Sequence, residues 1–462
     1  MDLCYIAHPL ILNRRSFLRN AGLTAVLAGA GSPLDKFELD EGSNQKGSDK
    51  KQQVKYDFDE VYDRVGTDSV KWDRAGQRHS TGLDVGMGIA DMDFKAPPCI
   101  GEALAERCEH ENWGYLSQPS DYVEAIVSWN QRRYGLDIDP SSLVLATGVH
   151  PGLIAALKTF SPPGTRTLIC TPSYNGFYGD LRASKTIAED SMMNVVNGRY
   201  EIDFDDFERK AARCNTYLLC NPQNPTGNVW TEEELLRMGE ICLKHRTIVL
   251  ADEIHCDFVM KGQRYTPFAS LPDKDIVDNS LTFKAASKTF SLAAMKAAWF
   301  FSTNQDFLNR VKENHRADLT TLGMVANRAA LTEGEDWFDQ ALAYIDENQE
   351  FVTSYIRENI PLISHRKAEG TYLAWLDVSR VIDIVGAEAT AADRGRTSVD
   401  PVTPEMIMQE WFGQNARVDL NPGSSYGTGG AGHMRMNIAA SRKLLKIALD
   451  NIAEALDRLP RV

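Results

Sequence analysis

A single lysine, Lys288, follows an apolar run in the middle of the chain and is the residue best placed to do chemistry. Residues 279–283 predict a short buried strand, and a loop of small residues, Ala285, Ala286 and Ser287, leads from it to the lysine. Because an ammonium is costly to desolvate, burial lowers the pKa of a lysine, and the neutral amine can form a Schiff base with a carbonyl compound. Taken alone, Lys288 could equally be a solvated loop lysine.

Other residues suited to chemistry follow other apolar runs, and these runs alternate with helical segments. Their continuous apolar character is typical of parallel central strands, so the chain predicts a mostly parallel α/β sheet. The predicted strands are residues 142–147, 167–170, 216–220 and 247–252. At or just beyond their carboxyl ends lie Gly148, Tyr174, Asn224 and Asp252. Because ligands bind at that edge of such a sheet, we expect these residues to meet Lys288 in one site.

The turn after the first of these strands has the form of a phosphate cradle. Gly148, Val149 and His150 open a helix that is predicted to run to about residue 160. The free backbone N–H groups and the dipole of a helix start both attract an anion. An ordinary strand-to-helix turn would have a similar sequence, so the cradle depends on the rest of the site.

Composition describes a soluble, acidic protein that is too long for one simple core. The chain has 462 residues, of which 43% are hydrophobic and 25% charged, so two domains are expected. The net charge of -14 disfavours nucleic acid and anionic membrane surfaces as partners. The eight cysteines include no C-x-x-C pair, so we predict buried reduced thiols and no metal site.

The N-terminus has the features of an export signal. Arg14 and Arg15 are followed by Ser-Phe-Leu and by an apolar run, residues 21–30, that ends in Ala-Gly-Ala. This order is typical of a twin-arginine signal, and the apolar run is too short to span a membrane. We expect a periplasmic or otherwise exported protein without a membrane anchor after signal removal. The alternative is a cytoplasmic protein with a chance pair of arginines.

Changes in composition and pattern divide the chain into five predicted parts. Residues 1–30 are the signal peptide and residues 31–55, which have almost no apolar content, a disordered linker. Residues 56–95 are the N-terminal part of a small domain, residues 96–335 a large domain, and residues 336–462 the C-terminal part of the small domain. Within the last part, residues 382–399 are rich in Ala, Gly, Asp and Thr and predict a loop insertion.

Three motifs together resemble those of fold-type-I enzymes of the class I/II aminotransferase superfamily, which use pyridoxal 5′-phosphate (PLP). They are Asp252-Glu-Ile-His255, Asn224-Pro-Thr-Gly227 and Ser287-Lys288. The segments at 90–94, 113–115, 171–174, 287–290 and 370–377 are similar to the MalY/PatB-type cystathionine β-lyases, and the resemblance runs from about residue 56 to the C-terminus. It implies a large domain with a mostly parallel central sheet, which binds PLP, and a smaller α+β domain.

The resemblance also implies a role for each strand-end residue. Lys288 would hold PLP as a Schiff base and then remove the Cα proton of the substrate. Asp252 would pair with the pyridine nitrogen and keep it protonated, so that the ring accepts electrons. Asn224 would donate to the phenolic oxygen and Tyr174 would stack on the ring. His255 belongs to the motif, and its role is left open.

Further residues are implied for the phosphate end of the cofactor. Gly148, Val149 and His150 would offer backbone N–H groups, and the His150 side chain is expected to be incidental. The family often has a hydroxyl residue three positions before the lysine, where this chain has Ala285. Ser287 would replace that contact, and Lys296 stands where relatives place a phosphate-binding cation.

Two more residues are implied for the substrate and for assembly. Arg435 would clamp the substrate α-carboxylate through a bidentate pair. Tyr115 resembles the tyrosine that reaches the phosphate or substrate region from the neighbouring subunit, which implies a homodimer.

The resemblance favours one reaction over two alternatives. The first choice is β-elimination on L-cystathionine or another L-cysteine S-conjugate, giving pyruvate, ammonia and a thiol. The second is transamination of an amino acid, which shares the same first half. The third is a PLP-fold binding or regulatory protein, which an intact set of lysine, aspartate and arginine disfavours. The substrate is a small amino acid in the first two cases, and its identity stays open.

Overall fold

A seven-stranded sheet is the centre of the described part of the chain, residues 54–79 and 82–460 of a computed structural model. In chain order the strands are β1 Val85–Gly86, β2 Leu143–Ala146, β3 Arg166–Thr171, β4 Ile187–Met192, β5 Asn194–Val196, β6 Arg199–Glu201, β7 Thr216–Cys220, β8 Ile248–Asp252, β9 Ser280–Lys284, β10 Ala298–Phe301, β11 Ser364–His365, β12 Leu373–Asp377, β13 Val418–Asp419, β14 Asn421–Pro422 and β15 His433–Asn437.

Helices connect these strands and cover their faces. They are α1 Ala75–Arg78, α2 Pro98–Glu109, α3 Ser120–Tyr134, α4 Val149–Phe160, α5 Gly176–Ser184, α6 Phe204–Ala211, α7 Glu232–His245, α8 Lys274–Asp278, α9 Gln305–Asn314, α10 Thr321–Glu333, α11 Glu335–Asn359, α12 Ser379–Val385, α13 Ala387–Gly395, α14 Pro404–Asn415 and α15 Arg442–Asp457. Among the residues described, no helix is both long enough and apolar enough to cross a membrane.

The central sheet has the order β2-β10-β9-β8-β7-β3-β4. All neighbouring strands are parallel except β10, which runs antiparallel to both β2 and β9. The predicted mostly parallel sheet is therefore confirmed. Because successive side chains of a strand point to opposite faces, Ile169 packs in the core on the α4 side and Leu168 in the core on the α6 and α7 side.

A smaller antiparallel sheet has the order β11-β12-β15-β14. Its apolar residues join α11 and α15 in one core that includes Ile345, Leu376, Met434 and Leu445. The N-terminal segment reaches this part through the parallel pairing of Val85 in β1 with Val418 in β13.

The described residues from Lys55 onward form one compact unit. The predicted signal peptide and nearly all of the predicted linker lie outside the described residues. The boundaries predicted near residues 95 and 335, between the small and the large domain, stay predictions.

One prediction in the C-terminal part was wrong. Residues 382–399 are not a loop insertion, because α12 and α13 occupy most of them and bury Ile382, Ala387 and Ala391. Ala387 and Ala391 are four residues apart and so lie on one helix face, a pattern that the Gly and Asp content obscured. Gly386, at a φ of 69°, makes the turn between the helices. Farther along the chain, the short strands β13 and β14 belong to different sheets.

Candidate active site

Lys288 lies four residues beyond the end of β9, in the small-residue loop that the sequence predicted. Its Nζ donates a hydrogen bond to the Ala90 carbonyl oxygen at 2.8 Å, and the Tyr372 hydroxyl donates to the same oxygen at 2.9 Å. Burial, together with the nearby Arg435 guanidinium, lowers the pKa of Lys288 to about 8. A large fraction of this amine is therefore neutral in mildly alkaline solution and able to attack a carbonyl carbon.

Asp252 is the last residue of β8 and is 3% exposed. One carboxylate oxygen accepts the backbone N–H of Ile254 at 3.1 Å. Burial raises the pKa of Asp252 above its ordinary value, because the interior disfavours the ionised form. A cationic N–H group of a bound ligand would favour the ionised form of this buried carboxylate, because the two charges would pair.

Arg435, on β15, is also 3% exposed, and its guanidinium is only partly satisfied. It donates to the side-chain oxygen of Asn224 at 3.1 Å and to the Gly88 carbonyl at 2.7 Å. Its Nε has no hydrogen-bond partner, and no carboxylate of the described residues pairs with it. A buried guanidinium without a counter-ion predicts an anionic ligand, and a carboxylate matches its geometry.

His255 is 2% exposed and lies between the charged groups of the site. Burial, with Lys288 and Arg435 adding to it, lowers the pKa of His255 well below its ordinary value, so this ring is neutral. Among the described residues its Nδ1 has no hydrogen-bond partner. Its ring centroid is 5.6 Å from that of Tyr372.

Helix α4 begins at the position where the sequence predicts a phosphate cradle, and the phosphate role stays a prediction. Val149 is the first residue of the helix and His150 the second, and Pro151 offers no N–H group. His150 Nε2 lies 3.2 Å from the Tyr174 hydroxyl, which brings the cradle next to the residue predicted to stack on the cofactor. Ala285, as expected, supplies no hydroxyl here, while Ser287 lies in the loop immediately before Lys288.

Two predicted residues are not brought into this cluster. Lys296 is exposed and has a left-handed backbone, at a φ of 52°. Tyr115 is fully exposed, so its ring does not belong to the Lys288 cluster of its own chain. It lines a separate surface cavity of about 1140 Å³ together with Trp113, Met295 and His315.

Sequence reasoning missed several groups of the site. The carbonyls of Gly88 and Ala90 accept from Arg435 and Lys288, and a backbone carbonyl has no sequence signature. Tyr372 donates to the Ala90 carbonyl. Asp180 was also missed, although a carboxylate on the helix that follows Tyr174 is a signal that could have been tested. It binds the His150 ring through Nδ1 at 2.8 Å.

The groups of this site fit the PLP that the sequence resemblance implies. An aldehyde matches the Lys288 amine, a protonated ring nitrogen matches the buried Asp252 carboxylate, and a phosphate matches the start of α4. Arg435 then retains an open N–H group for a substrate carboxylate. Among the described residues no group of His, Cys, Asp and Glu side chains is arranged to hold a metal ion.

Comparison with known proteins agrees with this geometry. Residues 84–452 match the family described as aminotransferase class I and II. The chain belongs to this family. Within it, cystathionine β-lyase PatB of Bacillus subtilis strain 168 is 34% identical over 405 residues, which cover 86% of this chain and 99% of PatB.

Solved structures show the same fold. Cystalysin from Treponema denticola, which contains a PLP cofactor, superposes with a TM-score of 0.79 at 29% identity, covering 87% of this chain and 99% of cystalysin. The PLP-bound C–S lyase from Staphylococcus hominis gives a TM-score of 0.76 at 31% identity, covering 87% and 98%. The predicted fold class and family are therefore confirmed.

Proposed function

We propose that this protein is a PLP-dependent C–S lyase that acts on L-cystathionine or another L-cysteine S-conjugate and forms pyruvate, ammonia and a thiol. The observation that carries the proposal is the buried cluster of Lys288, Asp252 and Arg435 in a fold shared with PLP-containing C–S lyases. The names of the relatives support the reaction type, and the unpaired guanidinium of Arg435 supports an amino-acid substrate.

When bound, PLP supplies the electron sink that makes a Cα carbanion accessible. Asp252, at the end of β8, holds the ring nitrogen protonated through its carboxylate. Arg435 fixes the substrate carboxylate with the N–H groups that Asn224 and Gly88 leave open. These two charges act from different strands, so together they fix the position of the substrate relative to Lys288.

Lys288 then moves the proton. Its amine is partly neutral near pH 8, so it can accept the Cα proton. The Cβ–S bond breaks, the electron pair leaves with sulfur, and the thiolate takes up a proton. The remaining three-carbon fragment, 2-aminoacrylate, adds water and loses ammonia to give pyruvate. The Ala90 carbonyl accepts a hydrogen bond from this amine, and the Tyr372 hydroxyl donates to the same carbonyl.

Transamination is the second candidate, and membership of the aminotransferase family favours it. It uses the same proton abstraction by Lys288 and would differ in the later steps, in which no thiolate leaves and the amino group would pass to the cofactor. The deciding experiment is incubation of the holoenzyme with L-cystathionine in the absence of any keto acid. Pyruvate and thiol released in equal amounts support the lyase, whereas product that appears only with 2-oxoglutarate identifies an aminotransferase.

We propose that the protein works as a homodimer in which Tyr115 serves the site of the partner subunit. The exposed ring of Tyr115, next to a large cavity whose mixed lining includes Leu145 and Met295, supports this proposal. The test is to mix inactive Lys288→Ala and Tyr115→Ala proteins after unfolding and joint refolding. Mixed dimers contain one site with both native residues, so activity reappears if the proposal holds and stays absent if each chain uses its own Tyr115.

We propose export through the twin-arginine route, which Arg14, Arg15 and the apolar run after them support. These residues lie outside the described part of the chain. The double variant Arg14→Lys, Arg15→Lys should leave the precursor in the cytoplasm of a bacterial host, while the native precursor reaches the periplasm. Equal periplasmic amounts of both would exclude this route.

A further inference from the structure

His150 and Asp180 form a second charged pair beside the cluster described above. Both carboxylate oxygens of Asp180, on α5, lie 2.8–2.9 Å from His150 Nδ1. Asp180 is 4% exposed, whereas the His150 side chain is 45% exposed, so the pair is buried on the Asp180 side and open to water on the His150 side. Nδ1 therefore carries a proton and donates it to Asp180. The hydrogen bond that His150 donates to Asp180 raises the pKa of His150 above its ordinary value, which favours the imidazolium form.

The second ring nitrogen of His150 lies within hydrogen-bond distance of Tyr174. Nε2 lies 3.2 Å from the Tyr174 hydroxyl, and the two ring centroids are 5.6 Å apart. Gly176 leaves the room for this contact. A Cβ atom at Gly176 would lie 2.5 Å from Tyr174 Cε1 and 2.7 Å from His150 Cε1, so any other residue there would displace the rings. The three side chains are thus packed as one unit.

This unit acts electrostatically on the site. The charged and titratable groups that face His150 are Asp180 on α5, Tyr174 before α5, Asp252 on β8 and Lys288 after β9. In turn, the positive charge of His150 lowers the pKa of Asp252 more than the negative charge of Asp180 raises it. Burial acts against the carboxylate form of Asp252, and His150 offsets part of that effect.

We propose that His150, held by Asp180, is a positioning residue that orients the Tyr174 hydroxyl and keeps Asp252 ionised for the ring nitrogen of the cofactor. This inference rests on the proposed function, because it takes Asp252 as the partner of that nitrogen. The side chain of His150 therefore has a role distinct from the backbone N–H group that the phosphate cradle uses. The expectation that this side chain is incidental is replaced by this proposal.

The test uses the apoprotein and pyridoxamine 5′-phosphate, which has no aldehyde and so binds without involving Lys288 covalently. The dissociation constant is measured against pH for the wild type and for His150→Asn. We expect the variant to bind about tenfold more weakly near neutral pH, where Asp252 is less ionised without the imidazolium. The difference between the two dissociation constants should become smaller in alkaline solution, because Asp252 is then ionised in both proteins and His150 of the wild type has lost its charge.

An analogue with carbon in place of the ring nitrogen separates this route from an effect on the phosphate. Wild type and His150→Asn should bind the analogue with equal dissociation constants, because the analogue has no ring N–H to donate to Asp252. A loss of the same size with both compounds, or an unchanged pH profile in the variant, would overturn the inference.

Two controls complete the experiment. His245→Asn removes another histidine paired with a carboxylate, Glu208, near the C-terminal end of α7, and should leave both binding curves unchanged. His150→Gln provides a second variant if His150→Asn does not fold. If the wild type binds neither pyridoxamine 5′-phosphate nor PLP, the proposed function itself is wrong. If the wild type binds normally and neither His150 variant changes binding, the inference about His150 is wrong and the proposed function stands.

Discussion

Lys71 Nζ lies 2.7 Å from Asp93 Oδ2, and neither side chain is exposed to solvent. Arg64 binds the other oxygen of Asp93 at 2.8 Å, and Trp72 Nε1 donates to that oxygen at 2.9 Å. Lys71 also donates to the Asp91 carbonyl at 3.0 Å. A buried charge is tolerated only when it is paired and hydrogen-bonded, and this network meets both conditions.

The network holds a segment whose carbonyls serve the active site. Gly88 accepts from Arg435 and Ala90 accepts from Lys288, while Asn437 Nδ2 donates to the carbonyls of Ile89 and Asp91 at 2.6 Å each. The buried pair of Lys71 and Asp93 therefore has a consequence beyond stability, because a shift of this segment would move the groups that position Lys288.

Lys71→Met should lower the free energy of unfolding by about 3–5 kcal/mol, because it leaves Asp93 buried with one charge partner fewer. Urea denaturation of the apoprotein measures this change. Lys446→Met is the matched control, since Lys446 pairs with Asp450 on the surface and such pairs contribute about 0–1 kcal/mol. Equal unfolding midpoints for the two variants would contradict the role given to the buried pair.

The rate of covalent PLP capture by the apoprotein should rise with pH and level off just above pH 8. The lowered pKa of Lys288, about 8, means that the reactive neutral amine predominates above that value. A free lysine analogue is the control, and its rate should keep rising toward about pH 10.4. Stopped-flow absorbance measures both rates.

Borohydride reduction and peptide mapping then identify the lysine that reacts. Lys284 is buried against the Tyr134 ring, with its Nζ 4.2 Å from the ring centroid, and Lys296 is exposed, so neither should carry the label. A label on either of them in place of Lys288 would overturn the assignment.

Asp252→Asn should lower turnover by about 10²–10³-fold without destabilising the fold. The raised folded-state pKa of Asp252 means that its stabilising form is the protonated one, and this contribution is lost as pH rises through that value. The apoprotein of the variant should therefore be at least as stable as the wild type at neutral pH. The difference in stability between the variant and the wild type should disappear below about pH 4, the ordinary carboxyl pKa, because the side chain at position 252 is then neutral in both proteins.

Steady-state kinetics and thermal unfolding against pH measure the two parts of this prediction separately. A variant that is inactive because it is unfolded, or one that retains wild-type turnover at saturating PLP, would show that Asp252 has a different role.

Much of the large sheet could be predicted because parallel central strands are continuous apolar runs. The bounds of β7 agree residue for residue with the prediction. The family motifs also named Arg435 and Asn224, whose side chains form a hydrogen bond, while the roles given to the site residues stay predictions. Tertiary contacts that carry no local pattern were beyond the sequence, such as the bond from Lys288 to a carbonyl 198 positions away.

The misread helices α12 and α13 have a different cause. Their residues are helix-compatible, but Gly386 and the polar residues of this region look like loop composition when tertiary burial is unknown. The antiparallel direction of β10 between β2 and β9 likewise follows from the sheet order rather than from the residues of β10.

Arg435→Ala should raise KM and lower kcat, because a charge-assisted bidentate pair both binds the substrate carboxylate and orients the Cα–H bond toward Lys288. A combined loss of about 10- to 100-fold in kcat/KM corresponds to removal of one hydrogen bond to a charged group. Arg435→Lys is the matched control, since it keeps the charge but not the planar guanidinium group. Its kcat/KM should lie between those of Arg435→Ala and the wild type.

Arg435 also bonds Asn224 and Gly88, so its loss could act through the protein rather than through the substrate. A decarboxylated substrate analogue, the S-conjugate of cysteamine, separates the two causes. The wild type should prefer the cysteine conjugate strongly, and Arg435→Ala should lose that preference because both compounds then lack a guanidinium partner. If the variant slows both compounds by the same factor, its preference is retained and Arg435 does not bind the carboxylate.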